Sequence, residues 1–132
     1  MPPIIGITLL PVSAPFHCKL MQPAADVMAR ALADVTIKAP AAPLVSNVLA
    51  SAITDPDEIR RRLVEQVTGT VRWRESVAYM AGQGVTRFVE IGAGKVLSGL
   101  VKRIADGAVG VSVGGPNDIA AAKDALAAAK QA

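Results

Sequence analysis

The sequence has few of the residues that staple folds or build metal sites. Its 132 residues hold one cysteine, Cys18, and one histidine, His17. A single cysteine excludes an intrachain disulfide, and one histidine beside it excludes a multi-cysteine metal site. Aromatics are as scarce: Phe16, Trp73, Tyr79 and Phe88 make up 3% of the chain. No apolar run reaches the roughly 18 residues that a membrane-spanning helix needs. The apolar start, Met1 to Leu10, has no basic n-region and no small-residue cleavage pattern, and Pro2 and Pro3 also argue against a signal peptide. The expected location is therefore cytoplasmic, with no membrane contact. Charge is sparse too, at 19%, with a net charge of +3. Arg60, Arg61 and Arg62 are adjacent, but no aromatics interleave with them. They read as a solvated helix face, and nucleic acid is not an expected partner.

Apolar residues, in contrast, are 52% of the chain, with alanine the commonest residue. That fraction overstates the large side chains available for a core. The length suits one domain, or a piece of one. Ile4 to Val12 is a β-branched apolar run and reads as a buried strand. Leu20, Ala24, Val27, Met28, Ala31 and Leu32 recur at helical spacing and predict a helix over roughly Leu20 to Leu32. Leu44 to Leu49 is a short strand candidate. Asp55-Pro56-Asp57-Glu58 is a helix start: a cap, a proline at the first helical position, and a carboxylate at the capping-box position. That helix runs to about Val67.

A second helix covers Trp73 to about Ala81, and Arg87 to Ile91 is a strand. The Gly92-Ala93-Gly94 turn leads into a helix carrying Val96, Leu97, Leu100, Val101 and Ile104. Val109, Val111 and Val113 alternate as a strand, and Asn117 can cap a last alanine-rich helix reaching about Lys130. Strands alternating with helices predict an α/β fold with mostly parallel strands flanked by helices.

Three places could carry chemistry. His17 follows the first strand in a strand-to-helix loop. Ligands of open parallel sheets bind outside the carboxyl ends of the strands. Imidazole titrates near neutral pH, so a histidine there is a candidate general base, against the plainer role of a loop histidine bonded to backbone. Gly110-Val111-Ser112-Val113-Gly114 matches the G-x-S-x-G nucleophile elbow. The alternation of valines runs straight through Ser112, however, which puts it inside a strand and not at a sharp turn. Phe88 to Gly94 sets Glu90 beside a glycine turn and a helix, and resembles the first motif of S-adenosylmethionine-dependent methyltransferases or a nucleotide site. Its third glycine, Gly99, comes too late for G-x-G-x-x-G, and only one strand follows. A tight turn that packs a helix on the sheet is the favoured reading.

Leu10-Pro11-Val12-Ser13-Ala14-Pro15-Phe16-His17-Cys18, followed by Leu20-Met21 and Pro23-Ala24-Ala25, resembles the catalytic-histidine segment of the malonyl-CoA:acyl-carrier-protein transacylases. Pro43 to Val48 resembles that family's strand ending in Asn-Val. Gln66 with Val71-Arg72-Trp73 resembles a segment near its active site. Glu90 to Leu100, with Lys102-Arg103-Ile104, resembles its late glycine turn and helix. The resemblance covers about Leu9 to Ile104, and more weakly the rest.

It implies an α/β-hydrolase-like acyltransferase domain of fatty acid biosynthesis. Malonyl passes from coenzyme A to the phosphopantetheine thiol of an acyl carrier protein through a Ser-His dyad. His17 matches the histidine base. Gln66 matches a position whose backbone carbonyl orients the imidazole, so no Asp partner is needed. Malonyl-CoA and the phosphopantetheinylated carrier are the implied substrates, with no further cofactor. Lys102 and Arg103 are candidate contacts for the acidic carrier, against the plainer role of positive charge favoured at a helix C-terminus.

The departures from the family matter as much. Its G-H-S-x-G serine, oxyanion glutamine, carboxylate-binding arginine and ferredoxin-like subdomain precede the histidine, and none is in this sequence. Residues 1–8 do not match. The expectation is that residues 9–132 are the C-terminal portion of a transferase domain, from a truncated or mis-started reading frame. The nucleophile half is then missing, and is itself a possible partner. Such a chain is expected to be inactive alone, marginally stable, and to expose a sheet edge. Alternatives are a nucleotide or S-adenosylmethionine binder using Glu90 to Gly94, and a non-catalytic carrier-protein interaction module.

Overall fold

A computed structural model of the chain describes residues 13–128. The strand expected over Ile4 to Val12 lies outside the described residues. The chain enters through a 3-10 turn, Lys19–Met21, into helix α1, Gln22–Ala33, with Pro23 in its first turn. Strands β1, Leu44–Val45, and β2, Ala52–Ile53, form a short hairpin. Helix α2, Pro56–Glu65, starts at Asp55, whose carboxylate accepts from the Glu58 N–H at 2.7 Å. Helix α3, Trp73–Gly82, leads to strand β3, Arg87–Ile91. Helix α4, Val96–Ile104, crosses over to strand β4, Val109–Val113, and helix α5, Ile119–Ala128, packs on β4.

The fold is α/β, and among the described residues one strand pair is parallel and one antiparallel. β3 and β4 pair in parallel, from Arg87 opposite Val109 to Ile91 opposite Val113. β1 and β2 pair antiparallel. A parallel pair needs a crossover of about a dozen residues or more. α4 provides one between β3 and β4, while the short Ser46–Ser51 link between β1 and β2 permits only a hairpin. That link closes through Ser46 N–H to the Ser51 carbonyl and Ala50 N–H to the Ser46 carbonyl. Only Leu44 and Val45 of the expected strand to Leu49 join a ladder, because the turn begins at Ser46.

Two helix ends also differ from expectation. α2 stops at Glu65, where Thr68 and Gly69 N–H groups both turn back to the Glu65 carbonyl. Asn117 does not cap α5. Pro116–Asp118 forms a 3-10 turn, and the Asp118 carboxylate accepts from the Gly114 and Gly115 N–H groups at 2.9 and 3.1 Å. Asp118 therefore ties the end of β4 to the start of α5. The expected end at Lys130 lies outside the described residues.

The core between sheet and helices is small. Val77, Val101 and Ala105 are buried, with Trp73, Met80, Phe88 and Ile104 packed around them. Gly110 lets β4 approach α4 closely: a Cβ there would sit 2.5 Å from the Ser98 carbonyl oxygen. Successive strand residues face opposite sides. Phe88 and Glu90 face α4, whereas Val89 and Ile91 point the other way and are 42% and 82% exposed. A groove of about 420 Å³ follows β3, lined in part by Trp73, Val85, Val89 and Ile91. Among the described residues, no helix is long and apolar enough to cross a membrane.

Candidate active site

A helix leaves its last carbonyls without intrahelical partners, and the aligned peptide dipoles make that end partly negative. Gln66 caps the C-terminus of α2, its own N–H bonded back to the Arg62 carbonyl at 3.0 Å. Its carbonyl meets the histidine: His17 Nδ1–H donates to the Gln66 main-chain oxygen at 2.8 Å. A carbonyl only accepts, so this contact puts a hydrogen on Nδ1 and, in the neutral ring, the lone pair on Nε2.

The loop holds His17 in an uncommon conformation, with φ at 57°. For a non-glycine residue this left-handed geometry costs on the order of 1 kcal/mol. Short bonds on either side enforce it. Phe16 N–H donates to the Ala14 carbonyl at 2.9 Å, and Cys18 Sγ–H to the Pro15 carbonyl at 3.0 Å. The imidazole is exposed at the surface of the chain.

Behind Gln66 lies a residue for which the sequence suggested no role. Asn47 Nδ2–H donates to Gln66 Oε1 at 3.1 Å, and the Asn47 carbonyl accepts from the Arg72 N–H at 2.9 Å. The Arg72 guanidinium donates to the Leu49 carbonyl at 3.1 Å and to Glu75 at 3.1 Å. His17, Gln66, Asn47 and Arg72 thus form one hydrogen-bonded chain from loop to hairpin to α3.

The chain as a whole is similar to known proteins. The malonyl CoA-acyl carrier protein transacylase of Escherichia coli K12 is 50% identical over 113 residues, 86% of this chain. A crystal structure of the acyl-carrier-protein S-malonyltransferase from Bartonella henselae superposes with a TM-score of 0.81 at 48% identity, covering 89% of this chain. The chain belongs to the malonyl CoA-acyl carrier protein transacylase family. It corresponds to the C-terminal part of those proteins and spans 37% of the length of the Escherichia coli relative and 38% of the Bartonella chain. Another solved relative, a malonyl-transacylase in complex with a type II PKS acyl-carrier protein, has a TM-score of 0.77 at 40% identity over 86% of this chain and 37% of its own. No family model matches the chain.

The remaining candidates fall outside this cluster. Ser112 sits within β4 opposite Glu90, on a continuous strand and not at an elbow. The sole histidine is followed by Cys18, so these 132 residues contain no G-H-S-x-G. Glu90 does not await a ligand. Its carboxylate accepts from the Leu97 and Ser98 N–H groups at 3.3 and 2.8 Å, which are the groups that a phosphate at that helix end would need. These bonds, the Ser98 main-chain N–H foremost, hold the Glu90 carboxyl below the ordinary carboxylate range. The glycine turn with φ of 137° at Gly92 and 96° at Gly94 therefore serves to dock α4.

Two of the three adjacent arginines are engaged. Arg60 donates to the Val35 carbonyl at 2.9 Å, and Arg62 pairs with Glu58 and Glu65 at 3.0 and 2.6 Å. Lys102 and Arg103 are exposed in the last turn of α4. The sequence held no signal for the Asn47 bond beyond a strand end in Asn-Val, because a hydrogen bond across 19 positions leaves no local pattern.

Proposed function

We propose that this chain carries the histidine half of a malonyl-CoA:acyl-carrier-protein acyl-transfer centre in the cytoplasm. Residues 9–132 would form the C-terminal portion of the transferase domain, and His17 is the base. The observation that carries this reading is the 2.8 Å contact from His17 Nδ1 to the Gln66 carbonyl, in a chain of this family. A carbonyl-oriented neutral imidazole needs no carboxylate partner to present Nε2 to a hydroxyl. The serine comes from the part of the family's domain that these residues do not span.

The chemistry follows from one proton site. His17 Nε2 takes the serine proton as Oγ attacks the thioester carbonyl of malonyl-CoA, and returns it to the departing coenzyme A sulfur. The phosphopantetheine thiol of the carrier then gives its proton to Nε2, attacks the seryl ester, and serine leaves with that proton. Lys102 and Arg103 are the proposed contacts for the acidic carrier; a relative's solved complex with an acyl-carrier protein supports such a partner.

The test is reconstitution. The chain is co-expressed with the residues of the Escherichia coli relative that precede the matched segment, and malonyl transfer to carrier protein is measured. The chain alone should transfer nothing, and the pair should be active. His17→Ala in the pair should lower the rate by on the order of 10⁴-fold or more, while Ser112→Ala should leave it unchanged. Full activity of the His17→Ala pair, or serine-dependent malonylation by the chain alone, would overturn the proposal.

A further inference from the structure

We propose that Asn47 is a positioning residue for His17, acting through the side chain of Gln66. The inference rests on the reading of His17 as the base and adds to it the device that aims the ring. The Gln66 carbonyl can hold an imidazole only if its peptide plane is fixed. On one side the Gln66 N–H is anchored to Arg62 in the last turn of α2. On the other side the Val67 N–H, in the same peptide plane as the Gln66 carbonyl, donates to the Val64 carbonyl at 3.1 Å in the turn that closes the helix. The Gln66 side chain itself accepts from Asn47 Nδ2–H at 3.1 Å.

The space around Gln66 makes that contact matter. A cavity of about 190 Å³ opens beside it, lined in part by Leu44, Asn47, Ile59, Arg62, Leu63 and Gln66. Packing alone does not confine a glutamine side chain next to such a void. Asn47 in turn is rigid. It follows buried Ser46 in a hairpin link closed by two main-chain bonds, with Ala50 at φ 54°, and its carbonyl is held by the Arg72 N–H. Asn47 thus ties the hairpin and α3 to the end of α2 through the Gln66 side chain, in addition to the main-chain bonds of that turn. Freeing Gln66 would let its carbonyl swing away from Nδ1, and the ring would lose its single tautomer.

The chain contains one histidine, so its imidazole nitrogen signals are unambiguous. The ¹⁵N-labelled full chain is examined by NMR at a pH where the ring is neutral. The parent should show the Nδ1–H tautomer dominant. Asn47→Leu, which keeps the volume and removes the donor, should shift the ring toward a mixture with Nε2–H. Gln66→Leu removes the same bond from its other end and should give the same mixture, and the double variant should add nothing. Asn47→Asp, which can accept from a flipped Gln66 amide, should restore the parent pattern. Within the reconstituted pair, Asn47→Leu should lower kcat by about 10- to 100-fold with KM little changed.

An unchanged tautomer in folded Asn47→Leu would overturn the proposal. If that variant fails to fold, an unchanged tautomer in Gln66→Leu overturns it equally. Because the NMR result needs no activity, an inactive pair with the expected tautomer shift would count against the acyl-transfer reading and leave the positioning role standing.

Discussion

The imidazole of His17 and the main-chain carbonyl of Gln66 meet at 2.8 Å across 49 positions of sequence. The contact joins a loop to the end of a helix, and each partner is held in place by its own surroundings. The loop half is under backbone strain, with His17 at φ 57°. Glycine adopts that conformation freely, and alanine does not. His17→Gly and His17→Ala both lose the bond to Gln66, so their difference isolates the strain. The glycine variant should be the more stable by about 1 kcal/mol, measured by urea denaturation.

Glu90 caps α4 as a carboxylate, and its pKa is lowered by the N–H groups it accepts from. A lowered folded-state pKa contributes stability that is present above the ordinary carboxylate range and is lost as pH falls through the folded value. Stability should therefore fall on acidification in the range below the ordinary carboxylate value, with α4 loosening first. In Glu90→Gln the protein should be less stable at neutral pH and that acid-side slope should flatten. Circular dichroism melts between neutral pH and the acid limit check both.

Gly110 marks a close approach of β4 to α4. Gly110→Ala places a methyl 2.5 Å from the Ser98 carbonyl, and main chain cannot move aside as a flexible side chain can. The expected loss is about 1–3 kcal/mol, as for other overpacked sites. Gly99→Ala is the control. It lies in the same helix with nothing within 4 Å of the new methyl, and should be neutral or mildly stabilising.

The face of β3 bearing Val89 and Ile91 is apolar and open, beside a groove of about 420 Å³. Exposed apolar strand faces promote association. Ile91→Lys should reduce self-association in sedimentation or light scattering. Its effect on unfolding free energy should stay within about 0.5 kcal/mol, since a residue 82% exposed contributes little packing.

What could be read from the sequence was what is encoded locally. Asp55-Pro56-Asp57-Glu58 specifies its own helix start, and the cap bond is there at 2.7 Å. The β3 and β4 limits, and α4 between them, follow from alternation and helical spacing. The hairpin strand β2 was not legible, because Ala52 and Ile53 are too few to show a period. Asp118, not Asn117, secures the start of α5, since a loop cap depends on where Pro116 turns the chain.

The candidate site divides along the same line. The sequence by itself determined the helices and the β3–α4–β4 unit, a lone histidine in a loop, and a family likeness that pointed to His17 and Gln66. That likeness also gave the Gln66 carbonyl as the partner of the ring; only the tertiary structure decided the 2.8 Å geometry of the contact at Nδ1, that Asn47 grips Gln66 from behind, and that Glu90 is spent on its own helix. The reason is physical. Every residue but proline carries the same N–H and every residue the same C=O, so main-chain partners leave no mark in the sequence, and which of them meet is settled by how the helices and hairpin pack.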